Sequence, residues 1–196
     1  MSKLRIKKTV FKEIMIALQK QYGDKADDIY NQIEERYNEL FSYAQIPPGK
    51  HELKCLKKSI LPTIALFEIT KDIDFIDCFL KIRYTKILKT YKIYGKLPFF
   101  FCIVRIMTKS IMTKSDEYDA EWVKDNKHEI KFNINRCYYN DTFAKYGYRH
   151  LCLLYCRNDE IVYGNMSENV AFIRKGMLAK GNNCCDMCFK QRKRIE

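Results

Sequence analysis

Between Glu129 and Cys137 the chain reads Glu-Ile-Lys-Phe-Asn-Ile-Asn-Arg-Cys, an alternation of apolar and polar residues that only an extended strand can exploit. Ile130, Phe132 and Ile134 fall on one face of such a strand, and Asn133, Asn135 and Cys137 on the other. Upstream the period is different. Val10, Phe11, Ile14, Leu18 and Tyr22 recur at helical spacing until Gly23-Asp24, and Ile29, Ile33, Tyr37, Leu40 and Phe41 predict a second helix over 26–44, stopped by Pro47-Pro48-Gly49. Further helices are expected over 53–60, 62–70 and 72–92, the last with Asp72 as its N-cap.

A chain that changes period in this way is expected to be α+β, a helical N-terminal half followed by a small antiparallel sheet with a packed helix. The apolar run 99–107 fits either a buried helix or a strand, and 115–119 reads as an acidic loop. A helix is expected over 139–155, broken near Gly147, and two short strands over 169–175 and 184–190, joined by a turn at Lys180-Gly181. We expect one domain over 1–196, with a mainly helical scaffold over 1–112 and an α+β region over 119–190 carrying the site.

The formal net charge is +12, but the lysines are scattered and the only tight basic cluster is 190–194. Nucleic-acid binders concentrate charge on one face with interleaved aromatics, so nucleic acid is not the expected ligand. A basic surface suits a small anionic substrate. The basic N-terminus is not followed by an uninterrupted apolar segment, and the run 97–107 contains Arg105 and is too short to span a bilayer. We therefore expect a cytoplasmic protein with no membrane partner. Its nine cysteines, an odd number, would mostly remain thiols there, as reactive groups, metal ligands or core residues.

Three segments place a thiol beside a polar partner: Asn133-Ile-Asn-Arg-Cys137, Cys156-Arg-Asn-Asp159 and Gly181-Asn-Asn-Cys-Cys-Asp186. Cys185 is a candidate nucleophile, with Gly181 allowing close backbone approach and Asp186 beside it, although an adjacent Asp on a strand points to the opposite face and its charge would raise a thiol pKa. Cys137 is its rival, at the end of a strand and the start of a helix, where unpaired N–H groups favour a thiolate. Cys156 sits at the C-terminal end of its helix, the wrong end for a thiolate, and reads first as packing. Asp159 reads first as a loop residue. The alternative from another class is a non-catalytic cysteine-rich module that binds a metal or a small ligand, with zinc on Cys152, Cys156, Cys185 and Cys188 as its metal form.

The order and spacing of these segments resemble the L-2-amino-thiazoline-4-carboxylic acid hydrolase family: Asn133-Ile134-Asn135-Arg136-Cys137-Tyr138, then Cys156-Arg157-Asn158-Asp159, then Arg174, then Gly181-Asn182-Asn183-Cys184-Cys185-Asp186. The resemblance covers Trp122 to Cys188 and extends weakly upstream through 59–67. Met177 stands where the family pattern tends to have Thr, and Met187 where it tends to have an aromatic. The resemblance implies hydrolytic opening of a cyclic amidine, 2-aminothiazoline-4-carboxylate, to N-carbamoyl-cysteine; no cofactor and no metal are expected. In that chemistry Cys137 and Cys185 are the nucleophile candidates, Asp159 and Asp186 the acid/base candidates, and Asn133 a donor to the developing negative charge. Arg174, Cys156 and Gly181 are the substrate-binding candidates, Arg174 as the clamp on the carboxylate. Oligomeric state is left open.

Overall fold

The computed structural model describes residues 4–192, which form two compact units meeting in sequence between Phe79 and Leu80. The first unit is helical. α1 (Ile14–Tyr22), α2 (Ala26–Ser42), α3 (Lys50–Cys55) and α4 (Leu61–Thr70) bury the stripe residues Phe11, Ile14, Leu18, Ile33, Tyr37 and Leu40. The helices expected over 53–60 and 62–70 are one continuous run, because a π turn, Leu56–Ile60, joins α3 to α4. Pro62 has no N–H to donate, and the wider turn lies just where a regular ladder would need one. Asp72 is the expected cap: its Oδ1 accepts the Phe75 N–H at 2.8 Å at the start of α5 (Ile73–Tyr94).

The second unit holds a four-stranded antiparallel sheet, order β1-β2-β4-β3. Its strands are β1 (Tyr118–Asp125), β2 (Glu129–Cys137), β3 (Val170–Ile173) and β4 (Cys185–Gln191). The run 99–107 is helical, as part of α6 (Phe100–Lys114), whose Phe100, Phe101 and Val104 pack on the inner face of the sheet with Ile130, Phe132, Ile134, Met187 and Phe189. The acidic segment 115–119 is only partly loop. Tyr118 begins β1, and Tyr118, Ala120 and Trp122 alternate inward before Val123 bulges out of register. Asn126 closes the β1–β2 hairpin, its Oδ1 accepting the N–H groups of His128 and Glu129, each at 2.9 Å.

After β2 the chain enters α7 (Tyr138–Lys145), turns at Gly147 and continues as α8 (Arg149–Asn158), which runs into a second π turn, Asp159–Tyr163. Gly95, after α5, is packed so tightly that a Cβ would sit 2.1 Å from the Met166 carbonyl oxygen. The basic cluster at 190–194 falls partly outside the described residues.

Candidate functional site

The alternation of β2 holds through Ile134 and then shifts. Ala120 pairs with Ile134 but Asp119 pairs with Arg136, so Asn135 is an extra residue, a β-bulge. An extra residue moves every later side chain to the other face. Cys137, expected beside Asn133 and Asn135, instead pairs with Tyr118 and packs against the inner core. Asn133 stays on the outer face with Asp186, its partner on β4, away from Cys137.

Cys185 also points inward, opposite Ile134. From the neighbouring helix come Cys152 and Cys156, one turn apart. These four thiols lie close enough that ionising one disfavours ionising the others. Burial pushes the Cys137 thiol up to about 12, outweighing the N–H groups of Asn140 and Tyr139 at the start of α7. Burial raises the Cys185 thiol too, although its sulfur accepts the Leu178 N–H at 3.3 Å. Cys156 behaves differently. The Cys152 thiol donates to its sulfur and, with Arg174 nearby, holds its pKa below the usual thiol range, against the effect of burial. Nor is Cys156 at a helix end, because the π turn carries the helix on to Tyr163.

Asp159 is the first residue of that π turn rather than a loop residue. Burial pushes its carboxyl up to about 6, with Arg174 pulling the other way, yet 23 % of its side-chain surface stays accessible. Arg174 follows β3 and is the opposite of an exposed strand arginine, with 3 % of its side chain accessible. One guanidinium nitrogen donates to Asp159 Oδ2 at 2.6 Å; the other donates to the Cys156 carbonyl at 3.0 Å and to Glu160 Oε1 at 3.1 Å. Those bonds occupy both terminal nitrogens, so Arg174 positions Asp159 and does not present a free fork for a substrate carboxylate.

Asp186 and Gly181 belong to the connection between β3 and β4. The Asp186 Oδ1 accepts the N–H groups of Lys175 at 2.8 Å and Gly176 at 2.5 Å. Burial raises its pKa, but these bonds outweigh burial and leave it below the ordinary carboxylate value. It is a carboxylate that ties the chain, on the face away from Cys185. Gly181 has φ +86° with no protein atom within 4 Å of a Cβ, so it serves the left-handed turn and not a close approach.

A tetrahedral metal site on Cys185 and Cys188 is opposed by the strand itself. Positions three apart face opposite ways, and Cys188 donates outward to Glu129 at 3.7 Å. Among the described residues no group of three or more His, Cys, Asp or Glu side chains could hold a metal ion.

Three phenols escaped the sequence reading. Tyr118 lies near Cys137 and Asp159, Tyr163 near Asp159, and Tyr84 near Asp159 and Cys156, its hydroxyl donating to the Leu154 carbonyl at 3.2 Å. The Tyr118-x-Ala120-x-Trp122 alternation was the available signal for the first; Tyr163, one π-helical turn beyond Asp159, had none.

None of the curated proteins compared matches this chain. One family model does, that of L-2-amino-thiazoline-4-carboxylic acid hydrolase, over residues 54–189. That span is more than half of the chain and takes in all four strands except the last two residues of β4, both π turns, and every thiol, phenol and carboxylate of the cluster. By that match, the chain belongs to the L-2-amino-thiazoline-4-carboxylic acid hydrolase family.

Proposed function

We propose that the chain hydrolyses a small anionic cyclic amidine, with 2-aminothiazoline-4-carboxylate as the first compound to try and an N-carbamoyl-cysteine-type product. The observation that carries this reading is Asp159, a carboxyl raised to about 6 and partly open to solvent, fixed by Arg174. A group that titrates near neutrality can both take and return a proton at working pH. Asp159 as carboxylate removes a proton from water as the water oxygen bonds to the amidine carbon between nitrogen and sulfur. The tetrahedral intermediate then collapses, the carbon–sulfur bond breaks, and the proton held by Asp159 passes to the departing sulfur. One water is consumed, and the product carries a new thiol and a carbamoyl group.

In this reading Cys137 and Cys185 are neutral thiols lining the site, since burial disfavours their thiolates. A covalent variant of the mechanism would run through Cys156, whose anion the Cys152 thiol and Arg174 favour. The cysteines are free thiols, which suits a reducing compartment, and no helix among the described residues is long and apolar enough to cross a membrane. The free thiols support a cytoplasmic location as part of this proposal. The test is incubation of the chain with 2-aminothiazoline-4-carboxylate, followed by mass spectrometry. The reading predicts a species heavier by one water and a stoichiometric new thiol in the protein-free filtrate. Unchanged substrate after prolonged incubation over pH 5–9 contradicts it.

A further inference from the structure

A hydrolysis of this kind develops negative charge on the oxygen added to the amidine carbon, and a donor aimed at that oxygen is often the largest single contributor to rate. Asn133, the donor expected from sequence, faces the wrong side of the sheet. The inner face offers another. The bulge at Asn135 sets Tyr118 opposite Cys137, both packed against the inner core. Tyr118 stands opposite Cys137 across the strands, and the Asp159 charge is near enough to act on its phenol. Its hydroxyl has no hydrogen-bond partner among the described residues and is not one of the sealed, unsatisfied polar atoms. It is a donor, not wholly sealed from solvent, that nothing in the described chain uses.

We infer that the Tyr118 hydroxyl is the catalytic hydrogen-bond donor of the site, holding the oxygen that develops on the amidine carbon. This rests on the ring-opening reading above. Burial, with the nearby Cys137, Glu117, Tyr139 and Asp159, makes the phenol hold its proton far more tightly than usual. That makes Tyr118 a stabiliser of charge and a poor general acid; the proton for the departing sulfur comes from Asp159, whose pKa is much lower. Tyr163 also reaches Asp159 and has its ring set edge-on to Phe172 and Phe189 at 5.7 Å and 5.5 Å. Of these two phenols, Tyr118 also stands opposite Cys137.

The experiment is Tyr118→Phe, which keeps the ring and removes one oxygen. With 2-aminothiazoline-4-carboxylate, kcat should fall about 10²–10³-fold, with KM changed by less than about threefold. The melting temperature should stay unchanged, since the hydroxyl has no bond in the described chain to lose. A structural role would instead lower the melting temperature and spare kcat. If the wild type turns the substrate over and the variant matches it, the inference is overturned while the hydrolase reading stands. If the wild type turns nothing over, the hydrolase reading fails, and calorimetry with N-carbamoyl-cysteine decides for Tyr118. Binding that weakens about tenfold in the variant keeps its hydroxyl as the donor to a carbonyl-type oxygen; equal binding, or none, overturns it.

Discussion

At the scale of single residues the account turns on Asp159 and Arg174. Because Asp159 holds its proton more tightly folded than unfolded, its contribution to stability is fully present below the ordinary carboxylate value of about 4 and is lost as pH rises through about 6. The gain on acidification should be on the order of 2–3 kcal/mol from this group. About half of it, on the order of 1–1.5 kcal/mol, should appear as a difference between the urea unfolding curves of wild type and Asp159→Asn at pH 5 and pH 7.5. A second expectation concerns Arg174. Arg174→Lys keeps the charge but cannot reach Asp159, Glu160 and the Cys156 carbonyl together, so it should cost about 2–4 kcal/mol, read by thermal or urea unfolding. Both residues were legible in the sequence as members of a motif. Their pairing was not, because fifteen residues and a change of element separate them.

At the scale of elements, one inserted residue decides what the sheet offers. The alternation of Ile130, Phe132 and Ile134 was readable and is buried as expected, but a bulge leaves no mark in residue types. Cys137 was therefore assigned to the wrong face, and the first two residues of β1, Tyr118 and Asp119, were read as the end of a loop. The connection between β3 and β4 gives a separate test. If Asp186 ties the Lys175 and Gly176 N–H groups and does no proton transfer, Asp186→Asn should keep activity within a few-fold, since an amide oxygen still accepts. Asp186→Ala should lose about 1–3 kcal/mol and lower the melting temperature. A kcat loss of 10²-fold or more in Asp186→Asn, with stability intact, would return Asp186 to the acid/base role.

At the scale of the molecule, the free thiols divide by exposure. Cys78 and Cys102 are exposed, whereas Cys137, Cys152, Cys156 and Cys185 form the inward cluster. A limiting alkylating agent at neutral pH should mark Cys78 and Cys102 first, with activity intact, and peptide mapping would show the order. Composition announced the many thiols and the basic charge; it could not say that four of the thiols would meet, since that depends on the bulge and on which face of α8 meets the sheet's inner core. The most direct test of the whole account is the pH–rate profile of water addition to 2-aminothiazoline-4-carboxylate by wild type and Asp159→Asn. The account predicts a rate that rises through an apparent pKa of about 6 and then levels. In the variant that limb should vanish and kcat fall about 10²–10⁴-fold. Two superimposable profiles would contradict it.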